Sequence, residues 1–256
     1  MKKLAYLIIL LLFVPTIVFA SSFDITADKV ILYNLNDDTI LYEQNSNEQT
    51  NIASLTKIMT ALVAIENIDD YDEYVTITAK DFEGTNGYSK AGFSIGDQVT
   101  YRDLLYGILL PSGADAVNAI VNNTLGYDAF IDAMNNKAQE IGLENTSFSN
   151  PVGKDATDNY STASDIAKLL KYALQNELFK EIFTTKEYIT SNGINLECTL
   201  YPYKDILDID MIDGSKSGFT RGAGRCLDSI TTLNAVDYLL VVIHSTTDQN
   251  YSAVLD

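Results

Sequence analysis

Apolar positions along this chain recur with two different periods. Within residues 54–66, Leu55, Ile58, Met59, Leu62 and Ile65 follow one another at three- and four-residue steps without Pro or Gly, which predicts a helix. The same spacing of Ala, Ile, Leu and Met predicts helices over 115–142 and 164–178. Residues 29–34 and 39–44 predict a strand hairpin turning at Leu35-Asn36-Asp37-Asp38, and residues 225–233 and 238–244 predict paired strands.

The ends and the charge narrow the class of protein. Lys2 and Lys3 precede an apolar stretch ending at Val18-Phe19-Ala20, the pattern of a secretory signal peptide cleaved after Ala20, so residues 1–20 are expected to be removed. Residues 21–256 lack repeats and Pro-rich linkers and are expected to form one catalytic domain, exported and without a membrane anchor once the leader is cut. Without Lys2 and Lys3, 15 basic residues stand against 35 acidic ones, a formal charge of −20. Such a surface disfavours nucleic acid and anionic polymers.

The helix at 54–66 carries the first candidate chemistry. Ser54 and Lys57 share a face at i,i+3, which brings the amine beside the hydroxyl. The pair becomes reactive if burial or another cation lowers the lysine pKa, and Lys216 is the candidate for that second cation. At the first turn of a helix, Ser54 would also sit near unpaired N–H groups able to stabilise an oxyanion.

Competing chemistries find little support. The one histidine, His244, falls at the end of an apolar strand, and no G-x-S-x-G elbow is present. One histidine and the distant Cys198 and Cys226 give no recognisable zinc-ligand set, so no metal or cofactor is expected. Cys226 is expected to pack as a small apolar residue on its strand, although the two cysteines could pair in an oxidising compartment.

Three short segments occur in order: Ser54-Leu55-Thr56-Lys57, Ser112-Gly113-Ala114 and Lys216-Ser217-Gly218. S-x-x-K with two such later motifs marks penicillin-binding proteins and class A β-lactamases. With the flanks Ala53 and Ile58-Met59-Thr60-Ala61, the run Asp103 to Gly113, Tyr160-Ser161-Thr162-Ala163 and Gly214 to Thr220, the chain resembles the serine-type D-alanyl-D-alanine carboxypeptidases. No Glu-x-x-x-Asn segment of the β-lactamase kind lies between the second and third motifs.

The resemblance implies an α+β fold, an antiparallel β-sheet flanked by helices with a helical lobe, the cleft lying between sheet edge and lobe. It implies Ser54 as nucleophile, Lys57 as base and Ser112 as the hydroxyl that relays a proton to the leaving amine. Lys216 and Ser217 would face the substrate's terminal carboxylate. Gly218 would let the substrate backbone approach, and the N–H of Phe219 would complete an oxyanion hole with that of Ser54. The implied partners are peptidoglycan stem pentapeptides ending in D-Ala-D-Ala, with β-lactams as covalent inhibitors.

Two positions depart from that family. Ala114 stands where asparagine or another polar residue is usual, and losing one buried hydrogen bond of about 1 kcal/mol predicts a rate loss of tenfold or beyond. Asn118 lies too far along its helix to replace it. The alternative reading is therefore a catalytically weak or inactive penicillin- or peptidoglycan-binding protein of the same fold. Ser217 replaces the usual threonine but keeps the hydroxyl. Longer members continue into a packing helix, a β-rich domain and a membrane-binding helix, so some apolar sheet surface is expected to stand open here.

Overall fold

A computed structural model describes residues 25–245; the expected leader lies outside the described residues. The hairpin forms as β1 (Ala27–Asn34) and β2 (Thr39–Gln44), and the chain returns to it as β7 (Gly214–Thr220), β8 (Gly224–Leu233) and β9 (Val236–Ser245). These five strands make one antiparallel sheet in the order β2-β1-β9-β8-β7. Strands β3 (Tyr74–Thr76) with β4 (Gln98–Thr100), and β5 (Glu187–Ile189) with β6 (Asn195–Glu197), form two small hairpins. The α+β class and the helical lobe are as expected.

Helix α1 (Thr56–Glu66) runs through the middle of the lobe with ten residues buried, from Thr56 to Ile65. A helix enclosed on all sides must satisfy its polar groups internally. Thr60 does so by donating from Oγ1 to the Pro151 carbonyl at 2.7 Å.

The periodicity over 115–142 resolves into two helices, α3 (Ala114–Asn123) and α4 (Tyr127–Ile141), preceded by α2 (Tyr101–Leu109). The break falls at Gly126, whose φ of +78° suits glycine and starts α4 in a new direction. Residues 164–178 likewise divide into α5 (Ala163–Ala173) and α6 (Glu177–Thr184). There Asn176 caps α6, its Oδ1 accepting the Phe179 N–H at 3.0 Å, while Thr162 caps α5 through the Asp165 N–H. In both cases the apolar stripe carries on across a local break, and periodicity alone reads through it.

One core joins the inner sheet face, through Ile31, Ile230, Leu239 and Val241, to α1 and the other helices. On the outer face, the sheet surface expected to stand open is covered at its centre: Leu200, Leu207 and Ile209 pack over Ala27, Val30, Leu227 and Val242. The segment between β6 and β7 therefore serves as cover for the sheet and, at Thr199 and Leu200, as a wall of the cleft.

Candidate active site

Ser54 sits in a single 3-10 turn, Ala53–Leu55, ahead of α1 rather than in its first α-helical turn as expected. The turn is forced by its surroundings. Ala53 has φ +47°, an uncommon conformation for a residue with a side chain. Gly153 packs so closely beneath it that an added Cβ would lie 1.9 Å from the Ala53 carbonyl oxygen. Strained backbone of this kind persists where neighbours over-determine it, and such places cluster at functional sites.

Lys57 Nζ lies 3.0 Å from Ser54 Oγ and donates to the Val152 carbonyl at 2.7 Å. The side chain is 1 % exposed. Burial lowers its pKa from 10.5 to about 7, against a smaller upward pull from Asp115. A neutral amine can give one N–H to the carbonyl and keep its lone pair for the serine proton. Burial, and not Lys216 as anticipated, is what lowers Lys57, while Lys216 is itself driven well down, first by burial and then by Lys57.

Ser112 follows α2 at φ +64°, and its hydroxyl is buried without a hydrogen-bond partner among the described residues, on the wall of the cleft. Ala114 opens α3, is buried, and donates its N–H to the Ser89 carbonyl at 2.8 Å, so Ser89 rather than residue 114 lines the cleft there. Asn118 donates to the Asp81 and Glu83 carbonyls and takes no part. Asp115 is fully buried: Oδ1 accepts the Ala91 N–H at 2.8 Å, and Oδ2 has no partner among the described residues.

The opposite wall is β7. Lys216 is fully buried, with Nζ donating to the Ser217 carbonyl at 2.8 Å, and Ser217 Oγ donates to Thr199 Oγ1 at 2.6 Å. Gly218, expected to admit a substrate backbone, lines the cleft and also permits a close approach within the protein itself. A Cβ there would lie 2.8 Å from Ser54 N and 3.1 Å from Ala53 Cβ. Glycine at 218 therefore seats the nucleophile turn against the strand, bringing the Ser54 N–H beside β7. Phe219 is 60 % exposed at the rim, under the Arg225 guanidinium at 5.0 Å.

Between these walls lies a cleft of about 330 Å³ lined by Ser54, Ser112, Ser217 and Gly218, with Tyr88, Leu200 and Tyr203 around it, while Lys57 and Lys216 are buried and are not among the lining residues. His244 lies 3.9 Å from Asp28 and is not among the lining residues. Cys198 and Cys226 are free thiols, Cys226 packed in the core. Among the described residues no cluster of His, Cys, Asp or Glu could hold a metal ion, and no helix is long and apolar enough to cross a membrane.

Sequence reasoning missed Val152, Asp115 and Thr199. Val152 acts through its carbonyl, which side-chain identity does not disclose. Asp115 stands directly beside the second motif, at the first turn of a helix whose other early residues, Ala114, Ala116 and Val117, are apolar, and that was the available signal. Thr199 meets Ser217 from the segment that follows the β5–β6 hairpin, a hairpin that Asp103 ties to the lobe by accepting from Tyr188 Oη, Ser191 N and Ser191 Oγ, and no local pattern encodes that contact.

Comparison with known proteins agrees with this geometry. The sequence profile of the family described as D-alanyl-D-alanine carboxypeptidase matches residues 16–247. The chain is 31% identical over 231 residues to the D-alanyl-D-alanine carboxypeptidase DacF of Bacillus subtilis, covering 89% of this chain and 59% of that protein. It is 31% identical to the D-alanyl-D-alanine endopeptidase of Escherichia coli, covering 88% and 73%. In structure it is similar to the Streptomyces K15 DD-transpeptidase, with a TM-score of 0.77, 29% identity, and coverage of 89% and 93%.

Proposed function

The chain belongs to the D-alanyl-D-alanine carboxypeptidase family, and from that premise we propose that it is a serine D,D-carboxypeptidase removing the terminal D-alanine of peptidoglycan pentapeptides through an acyl-enzyme. The observation that carries this reading is the contact of Ser54 Oγ with a buried Lys57 amine at 3.0 Å whose pKa is about 7. A base with that pKa is half unprotonated at neutral pH and matched to its task.

In the proposed reaction Lys57 takes the Ser54 proton as Oγ attacks the carbonyl between the last two D-alanines. The N–H groups of Ser54 and Phe219 stabilise the oxyanion, a role supported by the close seating of the nucleophile turn on β7. Lys216 and Ser217 hold the terminal carboxylate. The unpartnered Ser112 hydroxyl relays the proton to the departing D-alanine amine, and water then hydrolyses the ester. β-Lactams acylate the same serine. The signal-like sequence of residues 1–20 supports work outside the cytoplasm, at the wall or beyond it.

The test is D-alanine release from an acyl-Lys-D-Ala-D-Ala peptide. Wild type is expected to release D-alanine, and Ser54→Ala to lose at least about a thousandfold in kcat/KM. A folded wild type that binds penicillin but releases nothing would refute the carboxypeptidase reading in favour of the binding protein that Ala114 suggests.

A further inference from the structure

Lys216 on β7, Asp228 on β8, Val241 on β9 and Ile31 on β1 are successive partners across the sheet. Residues directly opposite in antiparallel strands project to the same face, with Cβ atoms about 5 Å apart. Here that face is the lobe side. Two residues before Lys216, a Cβ on Gly214 would meet the Phe183 ring; two residues after it, one on Gly218 would meet Ser54 N. Lys216 and Asp228 thus stand side by side beneath the cleft, each 0 % exposed.

Neither carboxylate oxygen of Asp228 has a hydrogen-bond partner among the described residues. The Ser229 N–H is near enough to favour the carboxylate but lies outside hydrogen-bonding geometry. A buried carboxyl with no bond is costly, and it calls for a reason in the surroundings. Beyond it in the row are Val241 and Ile31, which carry no charge; the cation of the row is Lys216.

We propose that Asp228 is a positioning residue of the active site, the resident counter-charge that keeps the proton on Lys216 and thereby leaves Lys57 free to act as base. The assignment rests on the acyl-enzyme reading above for its purpose, though not for its geometry. The reaction needs two buried lysines in opposite states: Lys57 neutral toward Ser54, Lys216 charged toward a carboxylate. Burial pushes both toward neutrality and Lys57 further lowers Lys216; because such coupling is reciprocal, a proton held on Lys216 opposes one on Lys57.

The anions around them decide between the two. Asp115, from α3, raises Lys57 and taken alone favours the wrong lysine. Cys198, beside Lys216, would favour the right one as a thiolate, but burial raises its pKa and keeps it a thiol. Asp228 remains. Alone, burial would hold its carboxyl protonated, just as burial would hold Lys216 neutral. Side by side they share one proton, and its transfer from carboxyl to amine creates both charges together. Lys216 Nζ is bonded to the Ser217 carbonyl, so Asp228 acts through its field rather than by a contact ion pair.

The direct test is a titration of the lysine Cε and Nζ signals by NMR in wild type and Asp228→Asn, with Lys216 assigned from a Lys216→Met spectrum. The expected result is a fall of at least one pH unit in the Lys216 midpoint. An unmoved midpoint overturns the proposal whatever the activity. Asp228→Val, which also removes the buried polar group, is expected to shift the midpoint likewise while melting no lower than wild type.

The pH profile of Ser54 acylation by a fluorescent penicillin gives the second reading. With Lys216 neutral to lower pH, carboxylate binding is lost sooner and the alkaline limb moves down. Lys57, relieved of a cationic neighbour, holds its proton higher and the acid limb moves up. The profile narrows and falls at least tenfold at pH 7. Unchanged limbs in an acylating variant overturn the proposal. A shifted Lys216 midpoint in a protein that penicillin never labels supports it and refutes the acyl-enzyme reading instead.

Discussion

The two edge strands of the one large sheet are treated in opposite ways. Both β2 and β7 pair on one side only and leave a row of backbone groups unpaired. At β2 the edge is interrupted: the register with β1 slips between Leu32 and Tyr33, so Leu41 faces no partner and the strand is bulged. Its residues are largely exposed and include Glu43. At β7 the strand pairs with β8 without a register shift, its lobe-side face packs on the Ser54 turn at Gly218, and Ser217, Gly218 and Phe219 line the cleft. An open edge is a hazard where nothing is meant to bind and a recognition surface where an extended peptide is, since such a peptide can add as a further strand. Under the proposed function, β7 is the edge kept for substrate.

The strongest way to sharpen the contrast is to remove the charge chemistry that faces β7. Lys57→Met keeps the length and packing of the side chain and deletes the amine. Acylation of Ser54 is expected to fall by about 10²–10⁴-fold. Stability moves the other way. The amine titrates at about 7 in the folded protein against 10.5 unfolded, so as pH falls from 10.5 to 7 the unfolded chain gains protonation energy that burial denies the native one, and below pH 7 the penalty is constant. That penalty is on the order of 4 kcal/mol at pH 7 and fades as pH rises to the unfolded value. Leaving the Val152 carbonyl unbonded costs about 1–3 kcal/mol in return. Lys57→Met should therefore melt higher than wild type at pH 7, and the advantage should shrink toward pH 10; denaturant curves at both pH values would reveal a constant or negative difference if burial were not the cause.

This coupling of function to instability was only partly legible in the sequence. Spacing alone put Lys57 beside Ser54 and apolar alternation gave the hairpin and the later strands, because those signals are local. Burial of the lysine was not legible, since it depends on α1 being enclosed on every side. The helix breaks at Gly126 and Asn176 were hidden by apolar stripes that continue across them. Asp228 sat unnoticed inside a predicted strand, for its meaning lies in the cross-strand register with Lys216, which no local pattern encodes.

A smaller effect is expected from closing the gap between β7 and the nucleophile turn. The Cβ of Gly218→Ala would meet Ser54 N at 2.8 Å and Ala53 Cβ at 3.1 Å, and the first of these is backbone that cannot rotate aside. The turn and strand must separate by a few tenths of an ångström or more. Misplacing a nucleophile and its oxyanion donors on that scale predicts a loss of about ten- to a hundredfold in acylation. A Gly218→Ala variant that acylates at the wild-type rate would show that the seating of Ser54 on β7 is irrelevant to the chemistry.

The smallest effect belongs to the other edge. Leu41 is 52 % exposed and, as the bulged residue, lacks a cross-strand partner on β1. Leu41→Lys therefore gives up little buried area, and its ammonium points where solvent already reaches. Surface changes of this type stay within about 0.5 kcal/mol, which for a domain of this size is about 2 °C in Tm. D-alanine release should be unaltered, because the sheet places three strands, β1, β9 and β8, between the substitution and β7. A fall in activity beyond twofold, or a Tm shifted by more than about 5 °C, would mean that the edges are coupled through the sheet and that the open edge at β2 contributes to the geometry of the cleft.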